Sequence, residues 1–478
     1  MKKEKYKTLL LILLVCISIF LTRKVWMEIP YEIFPVFKEK KVSNNSYIIS
    51  DMIVPNKYLL NFSQGNHTVY YSDEKHNLWV STKEILKEVL FTKNYRAESI
   101  NNEEFMAYQN VKSINFIFPE KVNTYILTKS LEIKNPNDIY NTLPEINSIY
   151  IYLEKDKPFL IFSNNQVHVK INDTNIETRG LREVLNGIEE KEDYTYYYSM
   201  RDTLGSMNDI YIPYEMTSNL PIVYVDNEIN IDDKKEITQI AEKFFDRDID
   251  YLREVVENNG SRIYIYNQKV LKIYQNGLLE FFSPIEQPVT ERNLYISLNT
   301  AGSFISNYMG VPKGMYLDRI EEIRSDDNLG YKFTFKYRIR GIPVILGDDE
   351  IQDFIQIEVF NDYVKSYRRF IRKDINALEY KTSKDKQMLS AFEILDLNYE
   401  LIENNFVEDN VIDKNGVDLE KLRGDIEASI QDISMAYYDP CQKQVGEKLV
   451  GVWVITVDKR IYVFDIYSGK LVYEKKKI

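Results

Sequence analysis

Between Lys7 and Arg23 the chain runs Thr-Leu-Leu-Leu-Ile-Leu-Leu-Val-Cys-Ile-Ser-Ile-Phe-Leu-Thr without a single charge. Such a segment must leave water. As a helix it spans ~22 Å, short of a ~30 Å hydrocarbon core. Val25, Trp26 and Met27 extend it once Arg23 and Lys24 bend toward the headgroups, so a transmembrane helix is expected over 8–27. Lys2, Lys3, Lys5 and Lys7 hold residues 1–7 in the cytoplasm, and Arg23, Lys24 and Trp26 form the interfacial anchor on the far side. The bulky Arg23-Lys24-Val25-Trp26 offers no small-residue cleavage site, which makes the segment a retained anchor rather than a signal peptide. Ser18 and Thr22 share one helical face with Leu11 and Val15. In lipid, helices associate through close packing and small polar groups, so this face is the expected contact with a partner's membrane helix.

The remaining chain lies outside a single-pass cell membrane in this reading. Its length, 478 residues in all, suits about three domains of roughly 100–200 residues. A hydrophobic share of 44% with 28% charge excludes a disordered chain, and 37 Tyr with 23 Phe favour pleated sheet. The net charge of -12 supplies no basic face for phosphates, so nucleic acid is excluded as a partner.

Three His and two Cys leave little for metal, redox or nucleophilic chemistry. His67 and His76 lack two further convergent ligands and read as a solvated surface pair; His168 reads as a structural or exposed strand residue. Asp246, Asp248, Asp250 and Glu257 fall at calcium-loop positions, but Tyr251 stands where the sharp turn requires Gly. Beyond the anchor Cys441 is the one cysteine, so no disulfide forms within the outer region. No Gly-x-Ser-x-Gly elbow or phosphate-cradling loop occurs. The chain is expected to be no enzyme, with no catalytic residue, cofactor or metal.

Along the chain, residues 28–46 form a stalk containing Pro30 and Pro35. An N-terminal α+β region over 47–230 follows, with a helix at 78–90. A middle helix-plus-meander region occupies 231–375, with helices at 234–246 and 291–308 and strands near 316–324, 330–339, 353–360 and 363–371. A C-terminal domain over 385–478 repeats the plan: helix 387–403, a long strand near 426–438, and strands at 449–457, 460–466 and 470–475. The fold class is α+β, with helices packed across one face of antiparallel sheets.

The Lys-rich start and single span, Leu21-Thr22 followed by Trp26, Ile210-Tyr-Ile-Pro213 leading to Leu220-Pro221, and the two helix-plus-meander units together resemble the YycH family. Gly341-Ile-Pro343-Val344 with Glu358-Val359 to Arg368-Arg369, and Trp453 to Gly469-Lys470-Leu471-Val472, resemble PepSY-like or YycI-like repeats. The resemblance implies a membrane-anchored extracytoplasmic regulator of the WalK/WalR two-component system in Gram-positive bacteria. Its partners would be the membrane, a WalK-like sensor histidine kinase and a YycI-like protein. It implies no catalytic residues. An extracytoplasmic peptide-binding module or PepSY-like peptidase inhibitor remains the alternative.

Overall fold

The computed structural model describes residues 45–476 apart from 63–64, 73–75, 94, 155–156, 173–175, 193, 206–209, 214–218, 349, 352, 378–386 and 413–417. The chain divides into two units, Met1–Asn45 and Ser46–Ile478. Among the described residues, every sheet belongs to the second unit. The expected membrane helix and stalk lie outside the described residues, and among those described no helix is long and apolar enough to cross a membrane.

Among the described residues a nine-stranded antiparallel sheet opens the unit. Its order is Arg96–Ile100, His168–Asn172, Leu160–Ser163, Glu145–Tyr152, Ser113–Asn123, Lys57–Asn61, His67–Tyr70, Tyr197–Ser199, Tyr211–Pro213. Alternation divides each strand between two faces. Ile114, Phe116, Ile149, Ile151, Leu160 and Phe162 enter the main core. Helix Leu78–Phe91 turns Trp79, Leu86 and Val89 into that core, and the Trp79 ring lies 5.4 Å from Phe116 and 5.6 Å from Phe118. Helix Arg179–Lys191 contributes Leu181, Leu185 and Ile188.

In the middle region Asp233 caps helix Lys234–Phe245, accepting from the backbone N–H of Lys235 at 3.0 Å and Glu236 at 3.1 Å. This helix and Leu294–Tyr308 bury Phe244, Phe304 and Tyr308 against Phe281 and Tyr367 of an eight-stranded antiparallel sheet. Ile355, Ile357 and Val359 are buried in it while Gln356 and Glu358 are half-exposed, as their alternation requires.

The C-terminal six-stranded sheet carries a long-range exchange. Strand Ile342–Leu346 leaves the middle region and pairs in parallel with Ile430–Asp439, aligning Val344 with Tyr437 and Leu346 with Asp439. The expected helix 387–403 is two helices, Ala391–Leu397 and Tyr399–Asp409, the first opened by a Ser390–Glu393 capping box. The expected strand start at 426 falls inside helix Leu419–Ser429, whose Leu422 and Ile426 are buried and whose first turn is capped by Asp418. Trp453 is fully buried, its indole N–H donating to the Leu389 carbonyl at 2.9 Å.

A three-stranded sheet links the regions: Tyr224–Asn227 lies between Arg372–Asp374 and Glu447–Lys448. The architecture is mixed α and β with antiparallel sheets throughout, apart from the one parallel pairing among the described strands.

Candidate functional site

The expected partner face, Leu11, Val15, Ser18 and Thr22, and the interfacial anchor, Arg23, Lys24 and Trp26, lie outside the described residues. Among the described residues no three His, Cys, Asp or Glu side chains converge to hold a metal. Asp246 instead ends helix Lys234–Phe245 in the left-handed region, at φ 51°. Asp348 accepts from the backbone N–H of Glu350 at 2.8 Å, a turn role.

The histidines and the cysteine are placed by packing. His67 is buried rather than solvated, because the strand pair that carries it folds its ring beneath Tyr211, 4.8 Å away. Its Nδ1–H donates to Asn61 Oδ1 at 2.8 Å, and burial lowers its pKa to about 4 against the opposing Asp202 charge. His76 is half-buried and stacks on Tyr70 at 5.4 Å. Burial, with the Asp439 charge adding to it, pushes the Cys441 thiol far above its ordinary pKa, away from nucleophilic use.

Two buried guanidinium groups fix the junction between regions. Arg372 grips Asp439 with Nε at 2.7 Å and Nη2 at 3.2 Å, Glu447 stands 4.0 Å away, and its Nη1 reaches Asn227. Arg369 holds Glu228 with bonds of 2.6 and 2.7 Å and donates to the Gly310 carbonyl at 2.9 Å. From the N-terminal region, the Pro55 carbonyl accepts from Arg338 at 2.8 Å, and Lys57 pairs with Asp432. The Arg372–Asp439 and Arg369–Glu228 pairs are planar two-point contacts in which a misplacement leaves a charge unpaired, so they define the relative placement of the elements they join.

A concave feature with converging, uncharged polar groups lies on the second face of the nine-stranded sheet. Strand pairing aligns Ile117, Ser148, Ser163 and His168 in one row across four strands. Asn115, two residues before Ile117, shares their face. Helix Asn102–Tyr108, capped by Asn101, covers the end of the row and stacks Phe105 on His168 with ring centres 4.3 Å apart. Beside the helix remains a cleft of about 310 Å³. His168 Nδ1 and Ser163 Oγ are 2.8 Å apart, and burial lowers the His168 pKa, keeping the ring neutral at neutral pH. Asn115 Oδ1 and His168 Nε2 have no hydrogen-bond partner among the described residues. Next to the cleft, Asn61 donates to Gln109 at 3.0 Å and Ser113 at 2.8 Å, continuing a buried polar layer.

Sequence reasoning missed this cleft. Its floor comes from separate strands, and in each the alternation of polar with apolar residues reads as an ordinary solvated face. Only the strand register and the covering helix reveal it.

Residues 4–193 match the family model described as "YycH protein, N-terminal domain". The match supports YycH kinship for this N-terminal part of the chain. The YycH match includes every cleft-lining residue except Tyr211. It stops short of the Arg372 junction and of the eight- and six-stranded sheets. No curated protein matches the chain. Among solved structures, an uncharacterized protein from Eubacterium rectale is 14% identical with a TM-score of 0.33, covering 56% of this chain and 86% of that one. The C-terminal domain of YpeB from Bacillus megaterium is 11% identical with a TM-score of 0.25, covering 51% of this chain and 97% of that one. Likenesses at these scores do not assign a fold to this chain.

Proposed function

We propose that the chain is a non-enzymatic regulator, anchored in the cell membrane by helix 8–27, that modulates a WalK-like sensor histidine kinase controlling cell-envelope homeostasis. The match of residues 4–193 to the YycH N-terminal domain carries this reading. A YycH-type N-terminal domain points to two-component regulation and to no enzymatic activity. In the proposed arrangement residues 1–7 are cytoplasmic, and regions 47–230, 231–375 and 385–478 are extracellular domains, the last two PepSY-like. In this proposal the signal passes through a partner's helix at Leu11, Val15, Ser18 and Thr22, with a YycI-like protein as a third member. The buried junction at Arg372 supports the reading by giving the outer regions a fixed geometry against which a kinase can be positioned.

Replacing 8–22 with an unrelated apolar helix of equal length tests the route. Anchoring is expected to persist while the kinase's target genes lose their response. Regulation equal to that of the native span would place the contact wholly outside the membrane.

A second reading, capture of an extended peptide at a sheet edge, draws on strand Arg253–Val256. It is the exposed edge of the eight-stranded sheet, with Val256 at 55% exposure.

A further inference from the structure

We infer that the cleft beside helix Asn102–Tyr108 binds a neutral saccharide unit. The inference is independent of the kinase reading. It starts from an unusual use of a sheet face: Asn115 and His168 are 6% and 3% exposed and line one cavity with Asn147, and Asn115 Oδ1, Asn147 Oδ1 and His168 Nε2 have no hydrogen-bond partner among the described residues. Buried polar atoms are nearly always paired, so three unpaired ones on residues lining one cavity ask for a ligand that supplies the missing bonds.

The chemistry of the lining narrows the ligand class. Among the described residues it holds no Asp, Glu, Lys or Arg, so neither phosphate, carboxylate nor cation finds a counter-charge. At the rim, Asn102, Asn147 and Asn165 add amides, groups that both donate and accept. A hydroxyl also does both. It donates to Asn115 Oδ1 and satisfies His168 Nε2 in either neutral tautomer, whereas a peptide group offers one fixed donor and one fixed acceptor. Leu59, Met106, Ile117 and Tyr211 supply apolar walls for the C–H face of a sugar ring. The cavity of about 310 Å³ falls at the small end of small-molecule sites, which run to roughly 300–1,000 Å³.

The test uses the full chain in phospholipid nanodiscs, free of glycoside detergent. Saturation-transfer difference NMR is recorded with maltotriose and with triacetylchitotriose, and in parallel with trialanine and inorganic phosphate. Saturable transfer to the ring protons of at least one trisaccharide is expected, and none to trialanine. Asn115→Leu removes an unpartnered acceptor while keeping the branched shape and heavy-atom count of the side chain, so it should keep or raise the melting temperature while weakening binding at least ~10-fold. Met106→Trp, at a half-buried wall position, blocks the cleft by volume and gives a second variant should the first unfold. Failure of both trisaccharides to bind overturns the inference. So does binding that is indifferent to both substitutions in folded protein, or Asn115-dependent binding of trialanine or phosphate instead.

Discussion

Arg372 and Asp439 are 67 residues apart in sequence and meet through two side-chain hydrogen bonds, with side-chain exposures of 1% and 0%. Asp439 ends the strand that receives the parallel pairing of Ile342–Leu346, and Arg372 starts an edge of the linking sheet. One ion pair therefore closes the middle region onto the C-terminal one. Asp439→Asn removes the carboxylate that grips the buried guanidinium and leaves it facing Glu447 at the longer distance of 4.0 Å, and is expected to cost about 3 kcal/mol. The double replacement Arg372→Met with Asp439→Leu should lie closer to wild type than either single change. Denaturant unfolding of the four proteins gives the comparison, and additive losses would contradict a directly coupled pair.

His67 makes stability depend on pH. Its folded pKa of about 4 lies below the unfolded value of about 6.5, so the unfolded chain binds the extra proton between them. Stability from its neutral form is complete above pH ~6.5 and declines as pH falls toward ~4, by roughly 2–3 kcal/mol at most. His67→Gln should flatten melting temperature against pH in that window. An unchanged slope would show that other groups set it.

Asp409 acts in a lower window. Hydrogen bonds from Arg460 at 2.6 and 3.1 Å and from Lys476 at 2.6 Å hold its carboxyl well below the carboxylate range. The depressed pKa means that this stability is present above pH ~4 and lost as pH falls further. The contact ties the end of helix Tyr399–Asp409 to the last two strands, and Asp409→Asn should destabilise by about 1–3 kcal/mol at neutral pH. The loss should shrink in acid, where the native carboxyl is itself protonated.

Gly330 lets strand Asn328–Lys336 approach Ile355–Phe360. A Cβ there would stand 2.5 Å from the Val359 carbonyl oxygen and 2.7 Å from the Phe360 ring. Backbone cannot yield as a side-chain tip can, so Gly330→Ala is expected to cost roughly 1–3 kcal/mol by overpacking. Thermal unfolding checks it.

Local pattern carried most of the element placement. Helices Leu78–Phe91, Lys234–Phe245 and Leu294–Tyr308 lie close to where the apolar spacing puts them, and Ile355, Ile357 and Val359 mark their buried face correctly. What pattern could not show was non-local. Strand Ile342–Leu346 contains Pro343 and completes its pairing with a strand that begins at Ile430, a register no local window contains. Helix Leu419–Ser429 has only Leu422 and Ile426 buried and Gly424 in its middle, too weak a stripe to separate it from the strand after it. For the cleft, Asn115, Ser148, Ser163 and His168 each occupy an ordinary polar strand position, and burial arises because a short helix from 102–108 lies over them. His67 reversed its expected exposure for the same reason: neighbouring strands cover it.

The central claim is that this chain governs a two-component kinase. It is tested most directly by measuring the phosphorylated fraction of the kinase's response regulator in cells lacking the chain, cells expressing it, and cells expressing it without residues 8–22. The expected result is a phosphorylated fraction that shifts severalfold on removal, returns with the full chain, and fails to return when the anchor is missing. A fraction that is the same in all three strains would contradict the regulatory role.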